Sequence, residues 1–97
     1  MFYKLEFRPL ASLEIFEAYD WYELQREGLG LEFLEELEEF YKNLFLNPHI
    51  YSYYNAPVRE GKISRFPYIV VYEVIETSIV IYSVFMSSRN PIEKRTE

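Results

Sequence analysis

Two arginines, Arg65 and Arg89, stand at the ends of the most apolar part of the chain, residues 65–91. A guanidinium is a permanent cation with a planar fork of donors, suited to carboxylates and phosphates. Few other side chains are equipped for chemistry. His49 is the only histidine, and no acid lies near it in sequence to orient it as a base. Its setting is that of an exposed loop position. Glutamates at 32, 35, 36 and 39 have the spacing of a wet helix face rather than of a carboxylate pair. Tyr51, Tyr53 and Tyr54 are flat surfaces on which bases could stack, or they cap the open end of a core. The chain has no cysteine, which excludes disulfides and thiolate metal sites. Nothing in it calls for a cofactor or a metal.

The elements that must hold these groups follow from periodicity. Between the two arginines, residues 68–75 and 79–86 are rich in β-branched and aromatic side chains. Only Glu76, Thr77 and Ser78 separate them, which predicts an antiparallel hairpin. In the first run Tyr68, Val70, Tyr72 and Val74 oppose Ile69, Val71, Glu73 and Ile75. In the second, alternation sets Ile79, Ile81, Ser83 and Phe85 against Val80, Tyr82, Val84 and Met86. Strands apolar on both faces belong inside a covered sheet.

Upstream, residues 2–7 alternate as a half-buried strand that Pro9 ends. Residues 9–27 read as a helix whose core stripe is Ala11, Ile15, Ala18 and Tyr22. Leu13, Phe16 and Leu24 fall on the opposite side, among Asp20, Glu23 and Glu27. Such a second apolar patch marks a partner site unless a loop or terminus covers it. Gly28 fits the left-handed position past a helix end. A second helix follows over 31–46, with Phe33, Leu34, Leu37, Phe40, Tyr41 and Leu44 on one stripe, and Asn47-Pro48 stops it. Residues 49–57 read as loop. Residues 58–65 form a weaker, polar strand at the sheet edge, with Gly61 as a bulge. The expected architecture is α+β and two-layered. Two antiparallel helices cover one face of an antiparallel sheet of about four strands, in a single domain over 1–97, and the far face carries the basic residues.

Net charge is −6, which argues against wholesale nucleic-acid binding. The charge is uneven. Residues 1–48 hold four basic side chains against eleven acids, and residues 49–97 hold six against five. Two surfaces with different partners are one reading, a solvated acidic helix face the other. The opening residues are broken by Lys4, Glu6 and Arg8, unlike a signal peptide, and no run approaches a membrane span. A soluble, cytoplasmic protein without membrane contacts is expected.

Several short motifs then fall into a familiar order. Trp21-Tyr22-Glu23, Gly28-Leu29-Gly30, Phe33-Leu34-Glu35-Glu36-Leu37, Asn47-Pro48, Arg65-Phe66-Pro67-Tyr68 with Tyr72, and Ser88-Arg89-Asn90-Pro91 together resemble the RelE/ParE toxin superfamily. The resemblance implies the toxin of a type II toxin–antitoxin pair, bound by a cognate antitoxin and touching operator DNA only through it. One branch of that superfamily cuts messenger RNA on the ribosome; the other poisons DNA gyrase without a known hydrolytic site. Carried onto this chain, the ribonuclease branch implies Lys62, Arg65 and Arg89 as its cations, with Arg59 nearby. Ile69 and Ser87, however, stand where that branch has arginines, and no tyrosine follows Arg89. The resemblance is therefore closer to the ParE side. It leaves open an enzyme, a poison that acts by binding, or a degenerate toxin that binds antitoxin and aids autoregulation. Candidate partner-binding residues are Leu13, Phe16, Leu24, Arg59, Arg65 and Arg89. Both hairpin arginines have a plainer reading, as ties to glutamates or loop carbonyls.

Overall fold

Pro9 opens helix α1 (Pro9–Gln25) because its ring fixes a helical φ and its missing N–H would have no partner there anyway. The computed structural model describes residues 2–87. Strand β1 (Lys4–Phe7) precedes the helix. Gly28 adopts φ +89°, so the chain reverses within residues 26–28 and enters α2 (Leu29–Leu46). Gly28 has no side chain to cap that helix. Glu23 of α1 does so instead, accepting from the Gly28 and Gly30 N–H groups at 2.8 and 2.9 Å. A Cβ on Gly30 would meet Tyr19 at 2.7 Å, so this glycine lets the two helices approach closely.

Both helices pack on one face of a five-stranded sheet of order β1-β5-β4-β3-β2. Its other members are β2 (Tyr53–Asn55), β3 (Val58–Lys62), β4 (Tyr68–Ile75) and β5 (Ser78–Met86). The α+β architecture agrees with the sequence, with four differences. The sheet is mixed, because β1 runs parallel to β5. Residues 49–57 are not all loop, since β2 adds a short strand and displaces β3 from the edge. Gly61 is not a bulge but a relief; a Cβ there would meet the Phe40 ring at 2.6 Å. The register shift lies in the hairpin instead. Val71 pairs with Ser83 and Tyr72 with Ile81, so Tyr82 is the extra residue. That insertion turns Val84 and Met86 onto the core face with Ile79 and Ile81.

The core holds Ala11, Ala18 and Tyr22 from α1, and Phe33, Leu37, Phe40 and Leu44 from α2. Part of it is an aromatic cluster. Tyr22 meets Phe66 with ring centroids 4.9 Å apart, and Phe33 meets Phe66 and Tyr68 at 5.5 and 5.0 Å, edge-to-face. Fully buried Tyr72 donates its hydroxyl to the Pro48 carbonyl at 2.7 Å, which ties the end of α2 to the sheet. Burial pushes its pKa up to about 12.

Candidate functional site

Arg65 sits in the turn between β3 and β4 with φ +72°. Its guanidinium donates to Glu32 of α2 at 2.8 Å and lies 3.6 Å from Glu36. Arg26 reaches the same Glu32 oxygen at 3.5 Å. The hydrogen bond from Arg65 holds the Glu32 carboxyl below the ordinary carboxylate value, and raises Arg65 in turn. The arginine remains half exposed but is committed to α2.

Arg59 is committed as well. Its partner across the ladder is Tyr72, so it lies on the helix side of the sheet. It donates to the carbonyls of Tyr51 at 2.6 Å and His49 at 3.2 Å, and to the Tyr53 hydroxyl at 3.0 Å. It also stacks over the Tyr53 ring at 4.1 Å. Its role is to hold residues 49–53 in place. Tyr51 packs against Phe40, whereas Tyr53 and Tyr54 stay exposed.

Lys62 is exposed at the end of β3, opposite Ile69, and forms no ion pair among the described residues. Its face of the sheet also carries Glu60, Glu73 and Glu6, because directly opposed residues share a face. The far face is therefore mixed in charge. It is not the basic surface expected from sequence, since Arg59 and Arg65 turn to the helix side. Arg89, the third cation expected from sequence, lies outside the described residues. His49 is exposed, and among the described residues it is only its backbone that forms hydrogen bonds.

A different arrangement surrounds α1. Leu13, Phe16 and Leu24 are 53, 63 and 79% exposed. Leu13 and Phe16 border different hollows. Phe16 lines an apolar hollow of about 380 Å³ with Phe7, Ile15, Tyr19 and Leu34, across the seam of the two helices. Leu13 lines a groove of about 520 Å³ on the other flank, between α1 and β5. That groove is walled by Leu10, Leu13, Trp21, Tyr68 and Met86, with Glu14 and Glu17 along it. Glu14 accepts from the Val84 N–H and the Ser83 hydroxyl, both at 2.8 Å. Leu24 borders neither hollow. Sequence reading missed Leu10, Glu14 and Trp21. The signal was available in the helical spacing of 10, 13, 17 and 21; the opposing wall from β5 was not.

No helix among the described residues is long and apolar enough to cross a membrane. No curated protein matches the chain. Among solved structures, a chain of the chromosomal ParDE toxin–antitoxin system from P. aeruginosa is similar, with a TM-score of 0.73 and 19% identity over 87% of this chain and 95% of that one. At that identity the likeness carries the fold. The family model for the ParE toxin of the type II toxin–antitoxin system parDE matches residues 5–91. The chain belongs to the ParE toxin family.

Proposed function

We propose that this toxin is neutralised by a cognate antitoxin seated on the outer surface of α1, and that it inhibits growth by binding DNA gyrase rather than by cutting RNA. One observation carries the second half. Among the described residues, the cations that a ribonuclease would need are dispersed: Arg65 is tied to Glu32 and Glu36, Arg59 to loop carbonyls, and Lys62 stands apart on the far face. Cleavage through a 2′-hydroxyl needs an acid, a base and phosphate-binding cations converging on a single phosphate. A net charge of −6 gives no general attraction to ribosomal RNA. The first half is supported by large apolar side chains held in solvent on both flanks of α1.

Pulse labelling after induced expression tests this reading. Replication should fail before translation. Early loss of translation with cut transcripts would instead assign a ribosome-dependent endoribonuclease, with Lys62, Arg65 and Arg89 as its candidate cations. Unimpaired growth would leave a degenerate toxin that only binds its antitoxin.

A further inference from the structure

β1 is one edge of the sheet, and among the described residues it pairs with β5 alone. The Lys4 and Arg8 N–H groups donate to the Thr77 and Ile81 carbonyls at 3.0 and 2.9 Å. Alternation therefore aims the N–H and C=O groups of Leu5 and Phe7 away from β5, to a side with no strand among the described residues. Tyr3, just before the strand, has the same phase. A bare edge templates further pairing unless it is blunted. The opposite edge is blunted, since β2 has three residues and a register shift beside it. β1 pairs without a break from Lys4 to Phe7. Its side chains are also part uncovered. Phe7 lies on the helix side, edge-on to Tyr41, yet is 41% exposed and lines the hollow with Phe16 and Leu34. Lys4 and Glu6 lie on the far face, their charged ends 3.6 Å apart and open to solvent.

We propose that this edge binds a second copy of the chain, the two β1 strands running antiparallel about a two-fold axis at Leu5. Residues 2–8, FYKLEFR, are complementary to their own reverse. Antiparallel strands bond through residues whose main-chain groups face the seam, so Leu5 pairs with Leu5 and Tyr3 with Phe7. The second pair is aromatic and sits on the helix side. Between these, Lys4 of each copy faces Glu6 of the other, in the non-bonded positions where Cα atoms approach to about 4.5 Å. The same register sets Phe2, 91% exposed, opposite Arg8, a ring against a cation. A shift of two residues would set Lys4 against Lys4 or Glu6 against Glu6. A shift of one would put the bonding groups out of phase. Charge and hydrogen-bond phase therefore select the same register. Charged side chains ordinarily keep foreign strands off an edge. Here their opposite signs, two residues apart, admit a copy of the same strand. The product is a continuous sheet with five strands from each copy and both helical layers on one side. This pairing stands apart from the antitoxin reading and does not depend on it.

Sedimentation equilibrium of the full chain tests this. A monomer–dimer exchange is expected, with a dissociation constant on the order of 10 µM, as suits an interface built on one strand pair. The Leu5 and Phe7 amides should exchange about tenfold more slowly in the dimer, while amides remote from β1 stay unchanged. Lys4→Glu and Glu6→Lys each set like charges face to face, and each should weaken self-association about 30-fold or more. Mixed together, the two variants should pair about as tightly as the parent, because each presents the sign the other lacks. A purely structural role for these side chains gives no such rescue. A chain still monomeric at about 1 mM overturns the proposal. So does a dimer indifferent to both reversals, or one that the mixture does not restore. Should either variant fail to fold, the parent decides: Leu5 and Phe7 protection that does not rise with concentration also overturns it.

Discussion

The β3–β4 turn and the outer surface of α1 are both half exposed, yet they treat their exposed groups in opposite ways. At the turn, every described cation has a claimant. Arg65 is held by two glutamates of α2, and its own ring neighbour Phe66 is locked among Tyr22 and Phe33. On α1, leucines and aromatics reach into water with no covering element among the described residues. The turn looks functional in sequence because arginine there is conspicuous, but its charge is satisfied internally. The helix is flagged in sequence only by Leu13, Phe16 and Leu24, yet its unburied carbon is the larger unsatisfied free energy. Burying apolar surface is worth about 25 cal/mol per Å², whereas exposed ion pairs contribute about 1 kcal/mol or less.

Substitutions can break or sharpen that contrast. Phe33→Ala removes a fully buried ring beneath the turn and should cost about 3–5 kcal/mol in a denaturant titration. A loss under 1 kcal/mol would mean the aromatic cluster is not what fixes the turn. Leu13→Asp should leave folding stability within about 0.5 kcal/mol, and weaken antitoxin binding by about 30-fold or more in calorimetry. Unchanged affinity would remove α1 from the interface. Tyr72→Phe deletes the bond to Pro48 and should cost about 1–2 kcal/mol.

The Tyr72 hydroxyl also has a pH signature. Its folded pKa is raised, so its stabilisation is complete below the unfolded value of 10.0 and is lost as pH rises toward about 12. The Phe variant should lose that part of the alkaline transition, read by circular dichroism.

The smallest effect belongs to Arg65. Arg65→Ala and Arg65→Gly both lose the glutamate ties, but glycine tolerates φ +72° without strain. The glycine variant should melt above the alanine one, and both a little below the parent. For Glu32 the sign is the reverse of Tyr72. Its folded pKa is lowered, so its stabilisation is present above the ordinary value of 4.5 and is lost as pH falls below it. Either Arg65 variant should flatten that acid limb, and added salt should flatten it in the parent.

Legibility in the sequence tracked how local each cause was. The helix stripes, the left-handed Gly28, the Asn47-Pro48 stop and the hairpin all rest on neighbours in the chain, and each was readable. Leu13, Phe16 and Leu24 were readable as solvent-facing for the same reason. The parallel seam of β1 with β5 was not, since nothing in residues 4–7 specifies which strand they join. The bulge at Tyr82 carries no glycine to announce it. β2 is three exposed residues whose pairing is partly supported by Arg59 from the next strand. Glu14 and Glu23 are the instructive pair. Both look like solvated acids on a helix, yet one caps the following helix and the other caps a strand edge contributed by the far end of the chain.

The seam between β1 and β5 has a consequence in time. During synthesis β1 emerges ahead of the other described elements, and its register pairs Lys4 with Ser78, so it waits until both helices and the strands up to β5 have been made before it can be paired. Closing so non-local a contact is slow relative to forming the helical hairpin. Refolding should therefore show early helix signal and late protection of the β1 amides. A ribosome stalled before Ser78 holds a polypeptide with two formed helices and an unfinished sheet.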